Sequence, residues 1–160
     1  MTEGQKSDKI SGAQSGVINP ASKRGERKAD ALYEQIRKSD TDIASITLTI
    51  KELAPDLSIT FENIKSIKKH LFFEEHDLIG GIRRFDPDAD MADSWIRLKN
   101  GVKSALPHDM TMIRHELCEM QLVAQGIPRE KAHEIAESKY NYGKECLEYH
   151  GQTHKRKMRG

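Results

Sequence analysis

Four residues, Gln125-Gly126-Ile127-Pro128, constrain the fold of this chain more than any other stretch of its sequence. Glycine stops helices, and proline is tolerated in the first turn of a helix but not in its interior. The stretch therefore divides a long helical pattern into two helices, the first opened by Pro107 and the second by Pro128. A connection this short predicts that the two helices pack against each other as an αα-hairpin.

The two helices of this hairpin carry the same short pattern, His-Glu-x-x-Glu. It reads HELCE from His115 to Glu119 and HEIAE from His133 to Glu137. At about 100° per residue, the first helix presents an apolar stripe that should pack on the core, formed by Ile113, Leu117, Met120 and Ala124. His115 and Glu119 share a second face, whose other members are Met112, Cys118 and Leu122. An imidazole and a carboxylate in apolar surroundings must be hydrogen-bonded, coordinated or neutralised, because an unpaired buried charge is costly.

The second copy of the pattern is not equivalent to the first. Its helix has an apolar face formed by Ala132, Ile135, Ala136 and Tyr140. His133 lies at the edge of that face, and Glu137 lies one step further toward water. Glu116 and Glu134 each point about 100° away from the histidine that precedes them, so spacing alone places neither to share a metal with it. We therefore expect HELCE to be the functional copy, with His133 near enough to the core to contribute.

The rest of the sequence predicts short helices around one hairpin or loop. Residues 1 to 24 lack an apolar period and are interpreted as a flexible leader. Helical periods occur from Glu26 to Ser39, in DIASIT (42–47), in FENIKSIKKHLF (61–72) and in ADMADSWIRLKN (89–100), for which Asp88 is a good N-cap. The Gly80-Gly81 pair predicts a small β-hairpin or a long loop. Residues 151 to 160 hold four cationic side chains and no acid, which indicates a basic tail.

These elements predict a mainly α, small multi-helix domain over residues 25 to 150. Its composition agrees, since 36% hydrophobic and 32% charged residues favour a highly soluble helical protein over a β-sandwich. No stretch approaches the roughly 18 to 20 apolar residues of a membrane span, and the first residues lack the apolar segment of a signal peptide, so no membrane partner is expected. Cys118 and Cys146 have neither the number nor the spacing of a disulfide framework, which indicates a reduced, cytoplasmic setting.

HELCE differs from the zinc-peptidase pattern H-E-x-x-H at its last position. In that pattern two imidazoles bind the metal and the intervening Glu acts on its water. Here Glu119 replaces the second imidazole, so His115 and Glu119 supply two candidate ligands, with His133, His70 or His76 as a third. Carboxylate-bridged di-iron bundles use Glu-x-x-His, the opposite order, which counts against that class.

Other residues capable of chemistry lie upstream. His70 ends a helix with a basic face of Lys65, Lys68 and Lys69, and His76 follows shortly after. A histidine in the position of His70 also complements the C-terminal end of its helix without any further role.

The segment RRFDPDAD follows the two glycines. Arg83 or Arg84 is suited to contact phosphate, although the same segment also suits a salt-bridged turn. The chain shows no P-loop, no Gly-x-Ser-x-Gly and no Cys-His nucleophile pattern, so covalent catalysis is not indicated.

Four blocks of sequence follow one another between Glu26 and Tyr142: ALYEQIRKSDTDIASI, ENIKSIKKHLFFEEHDL, RFDPDADMADSWIRL and DMTMIRHELCEMQLVAQGIPREKAHEIAESKYNY. Together they resemble a domain at the C-terminal ends of phage Mu F-like and SPP1-type head morphogenesis proteins and of bacterial polymorphic secreted toxins. The resemblance singles out His70, His76, Arg84, Phe85, Asp86, Asp88, Trp95, His115, Glu116, Glu119, His133 and Tyr142. In such proteins the C-terminal domain is usually the toxin module and nucleases are the commonest kind, so a toxin-like nuclease with a cognate immunity protein is implied.

The leading hypothesis is therefore a toxin-like hydrolase that acts on nucleic acid. His115, with His70 or His76, would perform acid-base chemistry, Glu119 would orient His115, and Arg84 would neutralise phosphate charge. The basic helix face and the basic tail would attract the nucleic acid backbone.

Two alternatives remain open. One is a metal-dependent hydrolase or zincin-like peptidase, in which His115, Glu119 and His133 bind a divalent metal such as zinc and Glu116 activates water. The other is a non-enzymatic helical binding module, in which DIASIT and FENIKSIKKHLF contact a partner and His115 and Glu119 are a satisfied core pair. We expect the chain in the cytoplasm, or delivered as part of a secreted or phage-borne protein.

Overall fold

The computed structural model describes residues 23–78, 81–85 and 87–159. Its elements, in chain order, are α1 (Lys23–Lys38), α2 (Asp42–Leu53), a 3₁₀ turn (Pro55–Leu57), α3 (Phe61–Phe72), β1 (Glu75–Leu78), β2 (Gly81–Arg84), α4 (Ala89–Asn100), α5 (Pro107–Ala124), α6 (Arg129–Lys139) and α7 (Tyr142–Arg159). The mainly α fold predicted from the sequence is confirmed. Of the predicted leader, residues 1–22 lie outside the described residues.

The predicted αα-hairpin and β-hairpin are both present. Helix α5 packs along α6, and Gly126 between them has φ 94°, a left-handed conformation that a side chain would strain. Strands β1 and β2 pair antiparallel, with Glu75 opposite Arg84 and Leu78 opposite Gly81. None of the described helices is both long and apolar enough to cross a membrane.

Two boundaries differ from the prediction. DIASIT is only the first half of α2, because Ile46 and Ile50 are both fully buried and continue one apolar face to Leu53. Pro55 follows and opens the 3₁₀ turn. At the other end, the backbone of residues 151–159, predicted as a tail, continues α7.

Aromatic rings from α1, α3 and α4 form the centre of the core. Trp95 is fully buried and meets Phe72 edge-on, with 5.2 Å between ring centroids. Phe72 in turn meets Tyr33 edge-on at 4.8 Å. Such pairs add roughly 0.5–1.5 kcal/mol each beyond their burial. They hold the C-terminal end of α3 in place, where His70 lies.

A buried ion pair beside these rings corrects the role predicted for Lys68. The Lys68 ammonium lies 2.8 Å from the Asp42 carboxylate, and the indole Nε1 of Trp95 donates to the same carboxylate at 2.9 Å. Both charged side chains are almost fully buried. Lys68 is therefore part of the core, and only Lys65 and Lys69 of the predicted basic face are exposed.

Asp88 caps α4, as predicted. One carboxylate oxygen accepts hydrogen bonds from the backbone N–H groups of Asp90 at 2.8 Å and Met91 at 3.2 Å. The other oxygen is buried and has no partner among the described residues. Burial, aided by the charge of Asp90, raises the pKa of Asp88 to about 7.

Replacing Asp88 by Asn is expected to stabilise the protein at pH values above 7. Because the pKa of Asp88 is higher in the folded protein than its ordinary 3.8, this group contributes stability at low pH and loses it as the pH rises through the folded value. Asn keeps the cap without a charge. At about 1.4 kcal/mol per pKa unit, the difference between the two proteins should change by up to about 4 kcal/mol across this range. Thermal unfolding against pH tests this, and parallel curves would contradict it.

Candidate metal centre

Three histidines and two glutamates meet at one end of the fold. His70 lies in the last turn of α3, while His115, Glu116 and Glu119 lie in the middle of α5 and His133 lies on α6. Because α5 and α6 are antiparallel neighbours joined by a short turn, Glu119 and His133 face each other across the hairpin. We call these five residues the His/Glu cluster.

Glu119 is at the centre of the cluster. Its Oε2 atom lies 3.2 Å from His115 Nε2 and 3.3 Å from His133 Nδ1. All three residues are buried, with exposed fractions of 1%, 0% and 8% for Glu119, His115 and His133. Ligand atoms bonded to one tetrahedral zinc ion at about 2.0–2.2 Å lie roughly 3.3 Å apart. Two of the three separations match this value, and the ligand atoms of the three residues all lie within 4.8 Å of one another, so they are candidates to bind a single ion.

A backbone carbonyl at the end of α6 orients the His115 ring. The carbonyl oxygen of Tyr140 lies 3.2 Å from His115 Nδ1. A carbonyl can only accept, so Nδ1 carries a proton and Nε2 is turned toward Glu119. Histidine ligands in protein metal sites are typically held in this way through their other ring nitrogen.

His70 and Glu116 lie on the other side of His115. His70 Nε2 is 3.5 Å from Glu116 Oε1, and Glu116 Oε2 is 3.7 Å from His115 Nε2. As spacing predicts, Glu116 does not join His115 in a set of ligand atoms among the described residues; the structure groups it with His70 and Glu119. In the described structure His70 Nε2, both Glu116 oxygens and Glu119 Oε1 are buried without a hydrogen-bond partner. Arg129 Nε, 4.0 Å from Glu119 Oε1, is likewise buried without a partner. Each such atom costs roughly 1–3 kcal/mol, so the carboxylate and imidazole atoms of this group are candidate ligands for a cation.

Burial and mutual charge set the protonation of the cluster. Burial raises the pKa of Glu116 to about 8, against the opposing charge of His115. Burial also acts on Glu119, but hydrogen bonds from His115 and His133 outweigh it and hold its pKa at about 2. Burial likewise opposes the charged form of His115, whose pKa is nonetheless raised by Glu119 and Glu116, whereas burial lowers the pKa of His70 to about 4. Metal ligands must lose such protons, so binding a cation here would release them.

A wall of aromatic and cationic side chains covers one side of the cluster. The His76 ring stacks on the Phe85 ring at 4.1 Å, and both meet His70 edge-on. The Arg129 guanidinium lies over the Phe85 ring at 5.2 Å, and its Nε is 4.0 Å from Glu119 Oε1. A positive charge therefore sits at the edge of the site, where it can pair with an anion.

A cleft of about 270 Å³ leads from solvent to Glu119 and His70, lined also by Glu74, Met120, Val123 and Ala124. Sites for drug-sized ligands measure roughly 300–1,000 Å³, so this cleft admits one small chemical group. The predicted core stripe of α5 is confirmed for Ile113, Leu117 and Met120, which lie in or against the core, but not for Ala124, which is exposed. The face of α5 that carries His115 and Glu119 is the more deeply buried one.

The structure sorts the predicted site residues into two groups. His76 contacts the His/Glu cluster, which contains the other predicted catalytic and metal-binding residues. The residues predicted to bind phosphate lie outside it: Arg84 is exposed and donates to the Phe73 carbonyl at 3.2 Å, Arg83 is half-buried beside it on β2, and Lys69 is exposed on α3.

The predicted inequality of the two motifs is confirmed. The side chain of Glu116 in HELCE is fully buried, whereas its counterpart in HEIAE, Glu134, is 69% exposed and lies 3.8 Å from Lys131 at the surface. Among the polar residues of HEIAE, His133 is the buried one. HELCE therefore forms part of the site, whereas HEIAE lies mainly on the outer face of its helix.

Arg129 and Tyr140 belong to the site and were not predicted. Arg129 lies four residues before His133, so helical spacing on α6 already placed the two side chains on one face. Tyr140 acts through its backbone carbonyl, for which no side-chain pattern gives a signal. Phe85 entered the sequence analysis only through the family resemblance.

Comparison of the chain with protein-family models, with characterised proteins and with solved structures finds no match. The chemistry of the His/Glu cluster is thus the basis for a function. Imidazoles and carboxylates at these distances can hold a divalent cation. A neutral imidazole near a charged one can also act as a base paired with an acid.

Proposed function

We propose that this chain is a metal-dependent hydrolase in which His115, Glu119 and His133 hold a divalent cation. The observation that carries the proposal is the placement of one nitrogen of each histidine within 3.3 Å of the same Glu119 oxygen, in a buried site that also contains unpartnered polar atoms. Imidazole nitrogen and carboxylate oxygen without thiolate suit Zn²⁺, Mn²⁺ or Fe²⁺ better than Ca²⁺ or Mg²⁺.

The residues around this position suit hydrolysis. A cation held here would lower the pKa of a bound water, to about 7 in the case of zinc. Glu116 or His70 would accept the proton of the attacking water and return it to the leaving group, as the water oxygen bonds to the electrophilic atom and the bond to the leaving group breaks. Arg129, 4.0 Å from Glu119, is placed to pair with an anionic group of the substrate.

Nucleic acid is the substrate class that we propose, in line with the toxin-like resemblance. Support comes from Lys65 and Lys69, which are exposed on the helix that carries His70, and from the four cationic residues of 151–160. Both would attract a phosphate backbone, with a strength that falls as salt rises. The small cleft fits a single phosphodiester group, and a cognate immunity protein is the partner that a toxin of this kind implies.

Replacing Glu116 by Gln is expected to lower the rate of hydrolysis by about 100-fold or more, because an amide cannot accept the proton of the attacking water. The matched control is Glu134→Gln in the second motif, which should retain the wild-type rate because Glu134 lies at the surface. Both variants would be assayed as metal-loaded full chains on RNA, DNA and casein. Equal rates for wild type and Glu116→Gln would contradict the proposed role, and cleavage of casein alone would assign a peptide substrate.

A metal-independent nuclease is the second candidate, favoured by the opposite pKa shifts of His70 and His115. Burial lowers the pKa of His70, which suits a base, and the carboxylates of Glu119 and Glu116 raise the pKa of His115, which suits an acid, in phosphodiester cleavage. Such an enzyme would keep full activity in EDTA and lose it in His70→Ala. The metal-dependent enzyme would lose its activity in EDTA and regain it when Zn²⁺ or Mn²⁺ is returned.

A further inference from the structure

We propose that the His/Glu cluster holds two divalent cations, bridged by the carboxylate of Glu119. His115 Nε2, His133 Nδ1 and Glu119 Oε2 form the first site, and His70 Nε2, Glu116 and Glu119 Oε1 form the second. This inference rests on the proposed function, because it adds a second ion to the same centre. It changes that proposal in one respect: with the second ion bound, His70 and Glu116 are its ligands and do not accept the proton of the attacking water.

The hydrogen bonds of the cluster divide its ligand atoms into these two sets. Glu119 Oε2 is shared by His115 and His133 at 3.2 and 3.3 Å. In the described part of the chain, Glu119 Oε1, His70 Nε2 and both oxygens of Glu116 are buried and have no hydrogen-bond partner. A single ion bound to Glu119 Oε2 leaves the whole second set without partners. A second ion bound to these atoms would give each of them a partner.

The second set is compact enough to bind an ion. One ligand atom from each of His70, Glu116 and Glu119 lies within 4.8 Å of the other two, and His70 Nε2 is 3.5 Å from Glu116 Oε1. Ligands bonded to one ion at about 2.1 Å lie roughly 3 to 4 Å apart, so side-chain shifts on the order of 1 Å complete the site. A carboxylate that binds one ion through each oxygen is compatible with the metal separation of about 3.5–4 Å found in two-metal hydrolases.

The surroundings of His70 also suit a ligand. Glu74 Oε1 lies 3.7 Å from His70 Nδ1, the ring nitrogen that the second site does not use. Outer carboxylates commonly occupy this position beside metal-bound histidines. His76 Nε2 lies 3.0 Å from the backbone carbonyl of His70 and holds the end of α3 against the cluster.

Repulsion by positive charge is the main argument against a second ion. The positions of the nearby cation and of the surrounding carboxylates remove this objection. Arg129 is the nearest cation, but its guanidinium is held over the Phe85 ring and its Nε stays 4.0 Å from Glu119 Oε1, too far for a hydrogen bond. Glu116 and Glu119 supply two carboxylates to the two ions, and a third, Glu74, lies 3.7 Å from the far ring nitrogen of His70. The positive charge that remains favours an anionic substrate such as a phosphodiester.

Metal stoichiometry tests this inference. The full chain, stripped with EDTA and dialysed, would be titrated with Mn²⁺ by calorimetry and examined by electron paramagnetic resonance. We expect two Mn²⁺ per wild-type chain, with the spectrum of a spin-coupled pair. His70→Ala and Glu116→Gln should each bind one Mn²⁺ and show an uncoupled spectrum, while the control Glu134→Gln binds two.

The other possible results of the Mn²⁺ titration contradict different parts of the proposal. One Mn²⁺ per wild-type chain, unchanged by His70→Ala, would overturn the second site and leave the proposed metal-dependent hydrolase standing. Two Mn²⁺ in both wild type and His70→Ala would place the second ion elsewhere and also overturn the inference. No binding to the wild-type chain would overturn the metal centre as a whole. Circular dichroism of each variant distinguishes the loss of a metal ion from the loss of the folded structure.

Discussion

Replacing Glu119 by Gln is expected to weaken Zn²⁺ or Mn²⁺ binding by more than about 100-fold, because even outer residues of metal sites are worth 10- to 100-fold. Glu119 Oε2 is the one atom within 3.3 Å of both His115 Nε2 and His133 Nδ1 in the cluster. An amide supplies neither the negative charge nor two equivalent oxygens. The metal-dependent rise in melting temperature should therefore vanish; for wild type at about 100 times the Kd, that rise corresponds to about 2.7 kcal/mol.

The control for this variant is Glu137→Gln, the same substitution at the corresponding position of HEIAE. Glu137 is half-buried on α6 and is not a member of the His/Glu cluster. Metal affinity and the thermal shift should stay within about twofold of wild type, because Glu137 belongs to none of the groups of candidate ligand atoms among the described residues. An equal metal-induced shift in Glu119→Gln and wild type would contradict the assignment of Glu119.

Replacing Lys68 by Ala is expected to destabilise the fold by about 3–5 kcal/mol, the cost of leaving one partner of a buried ion pair uncompensated. The ammonium of Lys68 lies 2.8 Å from the carboxylate of Asp42, which is 1% exposed. The hydrogen bond from Trp95 Nε1 to Asp42 would remain but brings no charge. Urea unfolding of the two proteins measures the difference.

Lys69 is the natural control, since it is the next residue and is exposed. Lys69→Ala should change the free energy of unfolding by less than about 0.5 kcal/mol. If Lys68→Ala were as stable as Lys69→Ala but bound nucleic acid more weakly, Lys68 would be a substrate-binding residue after all. Comparing the two variants distinguishes a role of Lys68 in the core from the role on a basic, nucleic-acid-binding face that the sequence predicts.

Helical periodicity predicted the features that depend on the sequence of one helix and of its connection to the next. Gly126 and Pro128 divide α5 from α6, and the i, i+4 spacing of His115 and Glu119 places them on one face among apolar residues. These local rules were sufficient for the αα-hairpin and for the difference between HELCE and HEIAE.

The errors come from contacts between distant parts of the chain. The sequence predicts a catalytic role for Glu116, but helical spacing does not show that Glu116 meets His70 at the end of α3. Lys68 was read as solvent-exposed because its partner, Asp42, lies on another helix. The face of α5 that carries His115 and Glu119 is buried, whereas Ala124, at the end of the apolar stripe, is exposed, and the period of α5 alone does not predict this difference. Such pairings depend on which helices pack together, and periodicity within one helix carries no information about that.

Anomalous diffraction from crystals of the full chain grown with Zn²⁺ locates any bound ion. We expect a peak bonded to His115 Nε2, His133 Nδ1 and Glu119, at the distances of about 2.0–2.2 Å typical of zinc ligands. Zinc-loaded crystals with no anomalous peak among these three residues, and with the His115–Glu119 pair unchanged, would contradict the metal centre.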